Sequence, residues 1–380
     1  MNNDQQYILQ LCHCYYDPFL DCARQYAVLF KDTPYKVITV FMTGEPDPEV
    51  AKKACSDEVV FLGHKSKALA GTKLAVIREV KNIARQYRFA ACIAHRAKSA
   101  YVGLLATDLP ILSVRHSFGD FDRIGRRLMG NLFKSRLTLL AVSNAVRDEI
   151  RSHLPAWPED RIITLYNRID VDTVRQDLLD RQEAQHKLRL PENSWVLGSV
   201  GRLHPDKDPQ TLIKAFARAL PHLPAGALLV MLGDGKLRQT LKVLSAELDI
   251  SDSVLIPGNV IEARRYFRAF DAFALTSDHE PFGMVLLEAM AAELPIICSD
   301  CGGGPEVVGD TGELFPFGDA DALAEKLIRV SQKQLTDSDH NRIFQRLQNR
   351  FSDRAVREQF WQLLQVTRTL GNPIIDDNAQ

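Results

Sequence analysis

Apolar runs of five or six residues alternate with amphipathic stretches along nearly the whole chain. Such alternation marks strands buried on both faces and joined by helices, the βαβ pattern of a parallel sheet. In the first half it predicts strands at Tyr7–Cys12, Lys36–Phe41, Val59–Leu62, Ala90–Ala94, Ile111–Val114, Leu137–Val142 and Ile162–Leu165. Helices are predicted between them at about 19–31, 68–87, 97–106, 122–134 and 144–152. Residues 170–193 break the rhythm with a highly charged run closed by Pro191, which reads as an exposed helix and linker. A second series then predicts strands at Val196–Val200, Leu228–Leu232, Val254–Ile256, Ala272–Leu275, Pro295–Cys298 and Glu313–Phe315. Its helices are expected at about 208–219, 236–247, 260–268, 284–292 and 320–331, with two more at about 337–349 and 353–368. The fold class is therefore α/β, with two Rossmann-like doubly wound domains, 1–170 and 194–336.

Within that pattern one stretch combines turn chemistry with carboxylates. Ser277-Asp-His-Glu-Pro-Phe-Gly-Met-Val-Leu-Leu-Glu-Ala-Met-Ala-Ala-Glu293 opens polar and runs into an apolar helix interrupted only by Glu288. Pro281 and Gly283 suit a helix start. The free amides of Gly283, Met284 and Val285 would face outward, a ready site for phosphate or sugar oxygens. Glu280 lies just before that start; Glu288 lies one turn in, on a segment that reads as buried. A core helix with a structural ion pair would read the same way.

Gly201-Arg-Leu-His-Pro-Asp-Lys-Asp-Pro follows the first strand of the second series, at the strand end where doubly wound sheets bind ligands. Arg202 and Lys207 could both reach a diphosphate from that loop, or the loop could be a solvated turn. Gly233-Asp234-Gly235 also follows a strand, but Arg238 stands where a dinucleotide fingerprint needs its third glycine. The first strand carries no such fingerprint at all; it leads into Cys12-His-Cys-Tyr-Tyr-Asp-Pro.

Composition changes the picture modestly. A chain of 380 residues, 46% hydrophobic and 25% charged, is that of a soluble two-domain protein. No apolar run approaches a membrane span, and the N-terminus has no secretory pattern. Seven scattered cysteines favour a reducing cytoplasm. The net charge of −1 hides an asymmetry: residues 1–168 carry 24 Lys and Arg against 17 Asp and Glu, and the excess reverses afterwards. Asp122–Arg136 concentrates Arg123, Arg126, Arg127, Lys134 and Arg136 beside an apolar stripe of Ile124, Leu128, Met129, Leu132 and Phe133. The stripe is expected to pack on the core, and the charges to suit an anionic membrane surface, so that the protein could sit peripherally on an inner membrane. No nucleic-acid partner is expected, because no binding module accompanies the basic residues.

Several blocks, in order and spacing, resemble the donor domain of the retaining glycosyltransferases of family 4. They are Val200-Gly-Arg-Leu with Lys207-Asp-Pro, Leu232-Gly-Asp-Gly, Glu280-Pro-Phe-Gly with Glu288-Ala-Met-Ala, and Gly302-Gly-Gly-Pro-Glu-Val-Val with Thr311-Gly-Glu-Leu-Phe. Asn167-Arg-Ile-Asp170 is similar to the family's Asn-Gly-Ile-Asp. The match spans about residues 160–330 and is thin before them. The resemblance implies the GT-B fold, two domains facing across a cleft, with 171–193 as linker and 337–380 crossing back to the first domain. It implies transfer of a hexose-type sugar, with retention, from a nucleotide-diphospho-sugar (UDP foremost) to a glycan or glycolipid, such as a lipopolysaccharide or other envelope glycan.

The same resemblance assigns roles. Arg202 and Lys207 stabilise the leaving diphosphate, and Glu280 holds donor-sugar hydroxyls. Gly201, Gly233, Asp234, Phe282, Gly283, Met284 and Val285 bind the donor, and Glu288 the ribose. His116, after strand Ile111–Val114, would touch the donor sugar, while His95 and Arg96 could line the cleft. No cofactor or metal is expected. Alternatives are a GT-B sugar-nucleotide epimerase, a sucrose- or trehalose-type synthase with a soluble acceptor, and a non-catalytic sugar-nucleotide-binding protein. Two departures stand out. Tyr15-Tyr-Asp-Pro-Phe replaces a Gly-Gly pair common after the first strand, and Arg168 replaces a glycine. The pairs Cys12/Cys14 and Cys298/Cys301 read as small buried hydrophobes.

Overall fold

A computed structural model describes residues 5–16, 18–333 and 335–371. Asp17, in the stretch that departs from the family pattern, and the last residues of the 337–380 segment lie outside these. The chain divides into two compact units. The first takes residues up to Asn167 and again from Asp353; the second runs from Arg168 to Ser352.

In the first unit seven parallel strands form one sheet. They are β1 (Gln6–Cys12), β2 (Tyr35–Thr43), β3 (Glu58–His64), β4 (Phe89–His95), β5 (Ile111–Arg115), β6 (Leu137–Ala141) and β7 (Ile162–Thr164). Their order is β3-β2-β1-β4-β5-β6-β7. The second unit holds β8 (Val196–Val200), β9 (Leu228–Leu232), β10 (Val254–Gly258), β11 (Ala272–Leu275), β12 (Ile296–Ser299) and β13 (Glu313–Phe315). Their order is β10-β9-β8-β11-β12-β13. Both sheets are doubly wound, because the chain reverses direction across the sheet after the third strand of each. The crevices of such a reversal lie at β1/β4 and at β8/β11, beyond the strand carboxyl ends. Every strand predicted from the apolar runs is present, with ends shifted by a residue or two.

Helix starts follow side-chain chemistry. Asp47, Asp170, Asp180 and Asp319 each cap a helix by accepting from its first-turn amides. Thr336 and Asp339 form a reciprocal capping box that opens helix Asp337–Phe351. Backbone and side-chain hydrogen bonds from Thr336, with Lys333 alongside, hold the Asp339 carboxyl well below the usual range.

Three expectations change. The run 171–193 is not an exposed linker: it folds into helices Val171–Asp177 and Arg181–Leu188 within the second unit, burying Val171, Val174, Ala184 and Leu188. Charge density along the sequence hid an apolar residue every third or fourth position. The return to the first unit comes at 353 rather than 337, because helix Asp337–Phe351 is anchored in the second unit. There Arg346 donates to the carbonyls of Val307 and Glu306, and Phe351 packs on Phe282. Residues 353–371 break into helices Asp353–Gln362 and Leu364–Leu370, with Trp361 donating to the Leu29 carbonyl at 3.0 Å. Finally, helix Ile124–Leu132 turns its apolar stripe outward: Ile124, Leu128 and Leu132 are 69%, 65% and 76% exposed. Its inner face is made by Gly130, which lets Trp157 and Phe121 approach.

Arg168 is fully buried, has partners within the protein, and does not take a positive φ, so the missing glycine brings no left-handed backbone strain there. Asp170 of the same block is the helix cap already described. All seven cysteines are free. Burial raises the thiols of Cys12 and Cys298 well above their ordinary value, as expected of small hydrophobic residues.

Candidate active site

The β8/β11 crevice gathers most of the residues singled out in the second half. Beyond Val200 the chain must turn back into helix Pro209–Ala219, and it does so beside the loop after β9. Gly201 donates to Leu232 at 3.0 Å, Leu203 to Asp234 at 2.9 Å, and Leu237 to Leu203 at 3.1 Å. A Cβ on Gly233, whose φ is +147°, would stand 1.8 Å from the Gly201 carbonyl oxygen. Gly233 is thus a glycine because two backbones touch there. Asp234 accepts from its neighbour Gly235 at 2.7 Å and pairs with Arg238 at 3.2 Å, so Arg238 braces the turn.

The loop after β8 is tied to the loop after β11. Asp278 donates to the Asp206 carbonyl at 3.1 Å, and the Thr276 hydroxyl to that of Lys207 at 2.8 Å. The Asp206 carboxylate pairs with Arg202 at 3.0 Å and with His204. Burial would raise the Asp206 carboxyl, but the His204 hydrogen bond and the charges of Arg202 and Lys207 outweigh it and hold it low. Lys207 Nζ reaches Glu280 Oε2 at 2.6 Å, and the Ser277 hydroxyl donates to the same oxygen at 3.2 Å. Glu280 is fixed from behind: Gly303 donates to its carbonyl at 2.7 Å. Gly302, at φ +62°, leaves room for this, since a Cβ would lie 2.2 Å from that carbonyl oxygen.

These loops wall a cavity of about 210 Å³. Gly201, Arg202, Lys207, Glu280, Gly283, Met284 and Val285 line it. An adjoining cavity of about 570 Å³ shares Gly201 and Arg202 and adds Gly233, Asp234 and Asn259. Gly283, at φ +95°, precedes helix Met284–Ala291, and no side chain caps that helix. The free amides and the dipole of this helix start meet the cavity beside two cations and one carboxylate. The arrangement can hold an extended anion at one end and a hydroxylated group at the other.

Two predicted residues sit differently. Phe282 is 2% exposed, its ring 5.8 Å from that of Phe351, so its side chain serves the core and not the cavity. Glu288 is half-buried, has a partner within the protein, and lies outside the residues that wall either cavity. Sequence reasoning missed the supporting residues Thr276, Ser277 and Asn259. The Gly302-Gly-Gly run was visible, but its work of seating Glu280 was not.

His116, His95 and Arg96 belong to the first unit. His95 is 3% exposed; its Nδ1 lies 3.2 Å from Nε2 of His116, with the rings stacked. Burial, then the neighbouring His95, Arg96 and Arg115, push the His116 imidazole well below its usual value, so it is neutral at pH 7. Asp122, Glu149 and His153, in the same unit, bring ligand-type atoms within 4.8 Å of one another, a grouping that sequence spacing did not suggest.

Comparison with known proteins completes the picture. Residues 180–350 match the family model described as glycosyl transferases group 1, and residues 34–173 match that of Glycosyltransferase Family 4. The chain is 31% identical over 229 residues to the N-acetyl-alpha-D-glucosaminyl L-malate synthase of Bacillus anthracis, covering 60% of this chain and 57% of that one. It is 34% identical over 182 residues to the lipopolysaccharide core biosynthesis glycosyltransferase LpsE of Rhizobium meliloti, covering 47% and 52%. The chain thus spans little more than half the length of these relatives. The Anabaena protein HepE, crystallised with UDP-glucose, superposes with a TM-score of 0.75 at 19% identity, covering 96% of this chain and 100% of that one. At that identity the likeness speaks for the fold.

Proposed function

The chain belongs to the group 1 glycosyltransferases of the GT-B fold, and from that premise we propose that it moves a hexose-type sugar from a nucleotide-diphospho-sugar, UDP foremost, with retention. The observation that carries this reading is the Lys207–Glu280 pair beside the uncapped start of helix Met284–Ala291, in one cavity with Arg202. Glycosidic cleavage places negative charge on the departing diphosphate. Arg202, Lys207 and the amides of Gly283, Met284 and Val285 stabilise that charge; each well-placed donor is worth roughly 3–4 kcal/mol in such a site. Glu280, fixed by Ser277 and Gly303, accepts from hydroxyls of the sugar. Gly233 and Asp234 receive the nucleoside side in the adjoining cavity. The UDP-glucose complex of HepE supports UDP-sugars as the donors to try first.

The acceptor is a glycan or glycolipid, met at an anionic membrane surface that helix Ile124–Leu132 touches with Ile124, Leu128 and Leu132. Among the described residues no helix is long and apolar enough to cross a membrane, so contact of this kind is peripheral.

The test is to incubate the full chain with UDP-, GDP- and ADP-sugars, following donor hydrolysis and melting temperature. Slow hydrolysis of one donor class, with a raised melting temperature, supports transfer chemistry. Epimerised donor would make the protein an epimerase, and stabilisation without turnover a binding protein. No turnover and no stabilisation by any donor would overturn the reading.

A further inference from the structure

The turn Pro205–Lys207, between β8 and helix Pro209–Ala219, is short and fixed at both ends. Pro205 sets its start. Asp208, at φ +40°, ends it and caps the helix by accepting from the Thr211 amide. The loop after β11 holds the same turn by its backbone. The Asp278 amide donates to the Asp206 carbonyl at 3.1 Å, and the Thr276 hydroxyl to the Lys207 carbonyl at 2.8 Å. A backbone held this way presents two neighbouring side chains to different partners. Lys207 enters the smaller cavity and meets Glu280. Asp206 lines neither cavity and turns instead to Arg202 and His204.

Arg202 lines both cavities, so it stands where they join. Its side chain is 69% exposed, and a long side chain with that freedom ranges over many rotamers unless something holds it. Among the described residues its carboxylate partner is Asp206, whose Oδ2 accepts from Nη2 at 3.0 Å. The contact takes one prong of the guanidinium and leaves Nε and Nη1 for another acceptor. The other oxygen of Asp206, Oδ1, is engaged by Nδ1 of His204. The carboxylate is thus placed by its own backbone and by His204, independently of Arg202. The His204 hydrogen bond and the charges of Arg202 and Lys207 keep it ionised.

We infer that Asp206 is a positioning residue, holding the Arg202 guanidinium at the junction of the two cavities with the rest of its donors open to a nucleoside diphosphate. The ligand named here rests on the transferase reading. The carboxylate has two opposed effects on such a ligand. It neutralises part of the Arg202 charge, and an exposed pair of this kind is worth at most about fivefold in affinity. It also takes away rotamer freedom that Arg202 would otherwise lose on binding, worth up to about thirtyfold for a free arginine. Positioning outweighs neutralisation, so removing Asp206 weakens binding.

The experiment is a double-mutant cycle on the full chain. UDP affinity, or that of whichever of UDP, GDP and ADP the wild type binds, is measured by calorimetry for the wild type, Asp206→Ala, Arg202→Ala and the double variant. Melting temperatures are read in parallel. Asp206→Ala should weaken the nucleotide about fivefold and add nothing once Arg202 is already alanine. Nucleotide bound as tightly by Asp206→Ala, or more tightly, would make Asp206 a competitor for the cation and overturn the inference. Equal weakening in both Arg202 backgrounds, with a lower melting temperature, would assign Asp206 to the fold and overturn it as well. If the wild type binds no nucleoside diphosphate, this inference and the transferase reading fall together. If the nucleotide couples Asp206 to Arg202 as described but no nucleotide-sugar is turned over, the transferase reading falls and the positioning role stands.

Discussion

Arg202 and Lys207 come from one loop and would do the same electrostatic work, yet their surroundings separate them. The Arg202 side chain is 69% exposed and pairs with Asp206 at the surface, a contact worth at most about 1 kcal/mol. Arg202→Ala should therefore leave the melting temperature almost unchanged while lowering turnover roughly a hundredfold; unchanged kcat would remove Arg202 from the site. Lys207 faces a Glu280 side chain only 11% exposed. Lys207→Ala leaves that carboxylate unpaired, so it should cost stability, roughly 3–5 kcal/mol, as well as activity. Thermal unfolding of the two variants side by side separates these outcomes. His116 yields a pH prediction. Its folded value lies below the ordinary 6.5, so the unfolded chain takes up the proton first. Stability is then fully present above about pH 6.5 and falls as pH drops toward the folded value, with a slope near 1.4 kcal/mol per pH unit for one proton. His95, Arg96, Arg115 and Cys22 all face this ring. His116→Asn should flatten that acid limb in urea titrations at several pH values, and an unaltered limb would show that the proton belongs elsewhere.

Helix Ile124–Leu132 shows what element-level reading can and cannot give. Its stripe of apolar residues at helical spacing was legible, but the same spacing serves a core face and an exposed one. Only the neighbours decide: Phe121 and Trp157 fill the side marked by Gly130, and Ile124, Leu128 and Leu132 are left outside. With Arg123 and Lys134 exposed beside them, this face should bind anionic vesicles, weakening as salt rises. Leu128→Glu should reduce flotation several-fold without lowering stability, since the side chain is 65% exposed. Salt-insensitive or unchanged flotation would refute the membrane role. The charged run 171–193 is the converse case, a segment whose polarity concealed helices packed on the second unit.

At the scale of the whole molecule, the last helices complete a unit begun more than three hundred residues earlier. Trp361 packs against Phe30 at 5.5 Å and stacks on Tyr35, and Arg24 pairs with Asp353 at 2.9 Å. Trp361→Ala should cost roughly 3–5 kcal/mol. The loss should fall on the first unit, visible as an earlier transition by hydrogen exchange in β1 and β2 while the second unit keeps its protection. The chain therefore folds its first unit around residues from both ends, and this could not be read from local pattern. The boundary at 353 depends on where helix Asp337–Phe351 finds its partners, Val307, Glu306 and Phe282.

The sequence alone determined the strands, because a strand buried on both faces must be apolar throughout and needs no knowledge of its partner. It also showed the second-half loops, because the order and spacing of Gly233, Gly283, Lys207 and Glu280 resemble a known family's donor domain; that Lys207 pairs with Glu280 and Gly233 abuts Gly201 is tertiary. Only the tertiary structure decided which side of helix Ile124–Leu132 met water, that Phe282 turned inward, and that Trp361 came to rest against Leu29, Phe30 and Tyr35. Those outcomes depend on residues distant in sequence becoming neighbours in space, and neither burial nor packing is defined until they do.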